Sequence, residues 1–132
     1  MVIQLLRQKR GQALVELALV LPVILLILFG IVEFGRVFHA YLVITNAARE
    51  GAREGAISNS DSQIQSTVET AVDPSLDLNN LNINISPSQA NRSRGDSVKV
   101  EVKYNVDLFT PVVTQLLPDP FPISSASVMR IE

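Results

Sequence analysis

Residues 10–32 read RGQALVELALVLPVILLILFGIV, and this stretch decides the fold of the chain. Its apolar part, residues 13–32, is interrupted only by Glu16 and Pro22. As an α-helix with a rise of about 1.5 Å per residue, this part spans about 30 Å, which is the thickness of the hydrocarbon core of a bilayer. The stretch therefore predicts a membrane-spanning helix over residues 12–33, which Pro22 is expected to kink or loosen.

A secretory signal peptide is the alternative interpretation of the apolar run. The hydrophobic region of a signal peptide is shorter than this run, and small residues at its end form the cleavage site. Residues 30–35 read GIVEFG and contain no clear site of that kind. A retained membrane helix is therefore favoured, and the lipid bilayer is the first expected partner.

Glu16 lies one turn into the otherwise apolar helix. A carboxylate at that depth costs about 2–3 kcal/mol, so we expect it to have a partner or a function. The alternative is that Glu16 lies near enough to the cytoplasmic interface to extend its carboxylate to water, beside Lys9 or Arg10.

The residue inventory argues against several classes of protein. The chain has no cysteine and a single histidine, His39, so neither a disulfide framework nor a zinc site nor a catalytic triad is expected. Arg7, Lys9 and Arg10 precede the apolar run, whereas acidic residues outnumber basic ones after it. This split argues against nucleic-acid binding and places residues 1–11 in the cytoplasm and the C-terminal part outside it. We expect no enzyme activity, no metal, no cofactor and no small-molecule substrate.

Two segments of the chain resemble a known family. The junction KRG/QALVE, residues 9–16, resembles the class III signal of type IV pilin precursors, which a prepilin peptidase cuts after Gly on the cytoplasmic side. Residues 10–22, together with LFGIVEFGRVFHAYLVITNAAREGAR at 28–53, resemble the TadE-like pseudopilins of tight-adherence pilus systems.

The resemblance implies that residues 1–11 are a cytoplasmic leader peptide, cleaved between Gly11 and Gln12, with Lys9 and Arg10 in the recognised signal. Cleavage would place a new α-amino group one helical turn from Glu16, and pairing would offset the burial of both charges. In the resembled family this glutamate is used for docking into an assembling filament.

The implied function is that of a minor pilin or pseudopilin in the assembly of a tight-adherence (Flp-type) pilus or a related secretion system, with a link to cell adhesion. The implied partners are a prepilin peptidase, other pilins or pseudopilins, and the assembly platform. Two alternatives stay open: an anchored extracytoplasmic binding module without a filament role and, with the least support from the residues, a small anchored enzyme. The expected location is the cytoplasmic membrane, with a single span.

Residues 34–57 keep helical spacing and become amphipathic, which predicts a juxtamembrane helix. Its aromatic residues are expected to form a belt at the membrane surface, and Glu33 and Arg36 are spaced to form an ion pair. Small residues recur every four positions, as in Ala47, Gly51 and Gly55. Such a stripe lets another element approach closely, either the protein's own sheet or another subunit.

Residues 58–132 are predicted to form a small soluble α+β domain packed on that helix. We expect a short helix over 62–72 with Asp61 as its N-cap, and one helical turn within 112–117. Strands are expected at 81–85, 98–106 and 123–131, the second with one buried and one solvated face. The predicted fold is a pilin-like α+β arrangement, in which a long N-terminal helix packs on a small antiparallel sheet.

Overall fold

The computed structural model of the chain describes the backbone of residues 2–132 and the side chains of residues 9–132. Met1 and the side chain of Arg7 therefore lie outside the described part. The elements in chain order are α1 (Val2–Ser58), α2 (Asp61–Val72), β1 (Leu81–Ser86), β2 (Ser97–Val106), α3 (Pro111–Leu116) and β3 (Phe121–Arg130). The prediction of an α+β fold, with a long N-terminal helix on a small antiparallel sheet, is confirmed.

α1 has two halves that differ in what covers them. The described residues from 9 to 32 are all exposed, and their most apolar stretch has a mean hydropathy of 2.9. From Glu33 onward, one face of the helix is covered by the rest of the protein. The helix continues through Pro22 without interruption. The first half of α1 is thus long and apolar enough to cross a membrane, and the rest of the folded domain packs against its second half.

The three strands form an antiparallel sheet in the order β1-β2-β3. In the register, Ile83 of β1 lies opposite Val102 of β2, and Val102 lies opposite Ser125 of β3. β2 alternates buried and exposed residues as predicted, because its valines face the helices and its charged residues face solvent. β3 begins two residues before the predicted start and includes Pro122. Proline has no backbone N–H, and an edge strand tolerates it because such a strand has N–H positions that the ladder does not use.

The core lies between the sheet and the second half of α1, with α2 at its side. The largest completely buried side chains come from all three layers: Ile44, Ile64, Val68, Val72, Val98, Val100 and Val102. α1 contributes mostly small residues to this core, whereas its aromatic residues Phe34, Phe38 and Tyr41 stay exposed on other faces. A three-stranded sheet alone has too little apolar surface for a stable core, so the long helix is an integral part of the domain.

Gly51 and Gly55 lie where α1 closely approaches α2 and the sheet. A Cβ atom built on Gly51 would lie 2.5 Å from Cγ2 of Val68, and one built on Gly55 would lie 2.9 Å from Cδ1 of Ile64. Ala47 is completely buried on the same face. The small residues therefore admit the protein's own α2 and its own sheet, which was one of the two alternatives left open by the sequence.

Arg92 is almost completely buried and binds residues that follow α1, follow β1 and begin α2. Its Nε donates to Oδ1 of Asn59 at 2.8 Å, and its Nη1 donates to the carbonyl of Pro87 at 3.2 Å. Its Nη2 forms an ion pair with Asp61. The predicted N-cap role of Asp61 is wrong, because α2 already begins at Asp61 and Ser60 occupies the cap position. The Asp61 carboxylate is engaged by Arg92 instead.

Candidate processing and assembly site

The predicted processing junction lies on the exposed first half of α1. Lys9, Arg10, Gly11 and Gln12 are all exposed and helical. A Cβ atom built on Gly11 would meet nothing within 4 Å. The fold of the described residues therefore places no steric demand for glycine at position 11, in contrast to Gly51.

Gln12 and Glu16 are brought together by the helix. Nε2 of Gln12 donates to Oε1 of Glu16 at 3.1 Å, across one helical turn on the exposed surface. This spacing also sets the backbone nitrogen of Gln12 one turn from the same carboxylate. A carboxylate on an apolar, uncovered helix can form an ion pair with a cationic group of the same chain or of a neighbouring one.

Glu33 marks the junction between the two halves of α1 and is 4% exposed. Its Oε1 accepts hydrogen bonds from the backbone N–H of Phe109 at 2.7 Å and of Thr110 at 2.8 Å. The hydroxyl of Thr110 donates to the same oxygen at 3.0 Å. Oε2 accepts from Arg36 at 2.9 Å, which confirms the predicted pair. One carboxylate thus holds the β2–β3 connection against α1.

The local sequence of that connection explains why it needs Glu33. The first N–H groups of any helix lack partners within the helix, and here Thr110 occupies the N-cap position without a side-chain cap bond. Pro111, the first residue of α3, has no N–H to satisfy. Glu33 accepts from the backbone N–H groups of Phe109 and Thr110, the two residues before Pro111. The guanidinium of Arg36 lies 4.1 Å from the centre of the Phe109 ring, a cation–π contact that also holds this segment against α1.

Sequence reasoning found the Glu33–Arg36 pair but not the contacts of Glu33 with the β2–β3 connection. One signal was present: Glu33 is the first acidic residue after the apolar run, at the point where an unpaired carboxylate would be costly. Its partners lie 76 and 77 residues further along the chain, so the helical spacing of α1 carries no information about them.

The fold and the site together define a class of protein: an α+β domain built on the second half of a helix whose first half is a candidate membrane anchor. Residues 11–53 match the family model described as TadE-like protein, which confirms the TadE-like resemblance over that segment. The match begins at Gly11 and ends within the small-residue face of α1. Neither the curated proteins nor the solved structures contain a match to this chain. The TadE-like family suggests involvement in the assembly of a tight-adherence pilus.

Proposed function

We propose that this chain is a minor pilin or pseudopilin that takes part in assembling a tight-adherence (Flp-type) pilus or a related secretion system. The observation that carries the proposal is the TadE-like match over residues 11–53, which includes Gly11 and Glu16 on the uncovered half of α1. In the described part of the chain, the folded domain makes no use of either residue, because Gly11 could carry a side chain and Glu16 contacts Gln12.

A prepilin peptidase cuts the chain between Gly11 and Gln12 in this proposal. The open space around Gly11 supports it, because a glycine that the fold does not require can serve a protease subsite that excludes a Cβ atom. The new α-amino group on Gln12 then pairs with Glu16, either in the same helix or in a neighbouring subunit, which offsets the cost of both charges in lipid.

N-terminal sequencing of the protein coexpressed with its peptidase tests the cleavage. We expect a mature start at Gln12 in the wild type and an uncleaved chain in Gly11→Leu. Gly35→Leu is the matched control, because a Cβ atom at this exposed helical glycine also meets nothing within 4 Å. A mature start at Met1, or after Gly30 or Gly35, or normal cleavage of Gly11→Leu, would contradict the proposal.

Glu16 is proposed to act in docking and not in cleavage. Glu16→Ala should be cleaved like the wild type and should remain in the membrane, since removal of a charge stabilises the helix in lipid. Its incorporation into the assembly should fall. Glu69→Ala, at an exposed position of α2, is the control for loss of a surface carboxylate. Wild-type incorporation of Glu16→Ala would reduce Glu16 to an interfacial residue.

The proposed topology has residues 1–11 in the cytoplasm and the folded domain outside it. Lys9 and Arg10 before the span, with a mixed-charge segment after it, support this orientation. An enzyme reporter that works only outside the cytoplasm should be active when it is fused after Glu132. Activity of a reporter that works only in the cytoplasm would show the opposite orientation.

The role as a minor component rests on the folded domain. Residues 58–132 pack against the second half of α1, and the small residues of that half contact α2 and β2 of the same chain. A sheet on every subunit would force a wide repeat in a thin filament, so the domain suits a protein present in few copies. Quantitative mass spectrometry of sheared filaments tests this: if this chain is the most abundant protein, the minor role is wrong.

A further inference from the structure

The β2–β3 connection exposes large apolar side chains that the folded domain does not cover. Phe109 is 75% exposed and Leu116 is 77% exposed, at the two ends of α3. Val112 and Leu117 are each 45% exposed. We call residues 108–118 the apolar connection, and within it the sequence LFTPVVTQLLP has no charged residue.

The apolar connection and α1 form the two walls of a groove of about 590 Å³. Leu26, Gly30 and Phe34 line it from α1, and Val112, Leu116 and Leu117 line it from the connection. Leu26 and Gly30 belong to the predicted membrane-spanning segment, so the groove extends along the span. It is continuous with the exposed apolar surface of residues 13–32.

The depth of the groove can be placed along the helix axis. Leu26 precedes Glu33 by seven residues, which corresponds to about 10 Å at about 1.5 Å per residue. Elements that lie in a membrane interface bury their apolar face by about 5–10 Å. α3 therefore lies beside the last two turns of the predicted span, within that distance of its end.

The two backbone N–H groups directly before Pro111 already have an acceptor, which suits this position. In lipid, an N–H group without an acceptor costs several kcal/mol, because water is absent. The N–H groups of Phe109 and Thr110 both donate to Glu33, and Arg36 neutralises that carboxylate. The charged residues Asp107 and Asp119 flank the apolar connection and lie outside it.

We propose that the apolar connection is a second membrane contact, in which α3 lies in the leaflet nearer the domain and lipid acyl chains fill the groove beside α1. This inference rests on the membrane anchoring in the proposed function, because the groove is placed by the span. Lipid is the occupant because the groove opens onto the surface of α1 that already faces lipid, so any protein partner would first have to displace it. The contact fixes the height of the domain above the bilayer.

Single tryptophan variants test the depth, since the chain has no natural tryptophan. The full chain is reconstituted into dioleoylphosphatidylcholine vesicles, with or without phosphatidylcholine that is dibrominated on its acyl chains and quenches tryptophan at short range. Leu116→Trp reports on the apolar connection, Leu19→Trp on the span and Val128→Trp on the outer face of β3. The three positions are 77%, 71% and 58% exposed, so none of the substitutions disturbs the core.

Leu19→Trp and Leu116→Trp should each lose about half of their emission or more in brominated vesicles, as expected at acyl-chain depth, whereas Val128→Trp should keep its emission. If Leu19→Trp is quenched and Leu116→Trp is not, the second contact is wrong and the anchoring stands. If Leu19→Trp is not quenched, the anchoring itself fails. Blue-shifted but unquenched emission from Leu116→Trp would show that protein, such as a second copy of the chain, covers the groove. Equal quenching of Val128→Trp would also overturn the proposal, because the contact would not be confined to α3.

Discussion

Gly51→Ala probes how closely α1 approaches the core. The added methyl group would lie 2.5 Å from Cγ2 of Val68 and 3.2 Å from Cγ1 of Val100. Both neighbours are β-branched, and a valine in a helix has one strongly preferred rotamer, so Val68 cannot turn its methyl group away at low cost. Either α2 must shift or the methyl group must be accommodated under strain.

Two opposing effects set the size of the change. Alanine favours a helix over glycine by about 1 kcal/mol, and overpacking of a core costs about 1–3 kcal/mol. We therefore expect Gly51→Ala to lower the free energy of unfolding by up to about 2 kcal/mol. In a Val68→Ala background the obstructing methyl group is gone, so the same substitution should become neutral or stabilising.

The assay is urea unfolding of the full chain in detergent micelles, followed by near-ultraviolet circular dichroism of Tyr104, which is 8% exposed. The cycle of Gly51→Ala and Val68→Ala should give a coupling of about 0.5–3 kcal/mol, as for residues in direct contact. Gly35→Ala adds the same group in open space and should not destabilise the domain. The packing described for Gly51 is refuted if Gly51→Ala is as stable as Gly35→Ala, or if its effect is the same in both backgrounds.

Three further variants probe the same domain. Gly55→Ala should destabilise less than Gly51→Ala in the same unfolding assay, because its nearest neighbour is the flexible end of Ile64 at 2.9 Å. Glu33→Ala leaves the amides of Phe109 and Thr110 without an acceptor, at about 1–3 kcal/mol each, so their hydrogen exchange should accelerate while that of β2 stays slow. Arg92→Lys loses the planar set of donors and should lower the free energy of unfolding by about 2 kcal/mol, whereas Arg94→Lys at an exposed position should have no effect. Unchanged exchange at Thr110, or equal stability of the two lysine variants, would contradict the contacts described for Glu33 and Arg92.

The elements with a regular hydrophobic period could be predicted from the sequence. The apolar run identified the first half of α1, and the strict alternation of Val98, Val100 and Val102 identified β2 and its buried face. The small residues of α1 predicted a close approach by another element. The element itself could not be predicted, because helical spacing shows which face is small and not what packs on it.

The contacts that close the domain could not be predicted, because they join residues far apart in the chain. Arg92 reaches Asn59 over 33 residues, and Glu33 reaches Thr110 over 77 residues. In the sequence, Arg92 lies in a polar loop, and this context predicts a solvated side chain. Asp61 stood at the usual place for an N-cap, but its carboxylate is held by Arg92, a partner that local rules do not include.

The continuity of α1 has a mechanical consequence. From Gln12 to Ser58 the helix measures about 70 Å, and no flexible linker separates the span from the packed half. The domain therefore has no flexible joint to the candidate membrane anchor, and a tilt or rotation of the first half of α1 moves the sheet with it. A pull applied to the sheet is transmitted along this one continuous helix towards Gln12.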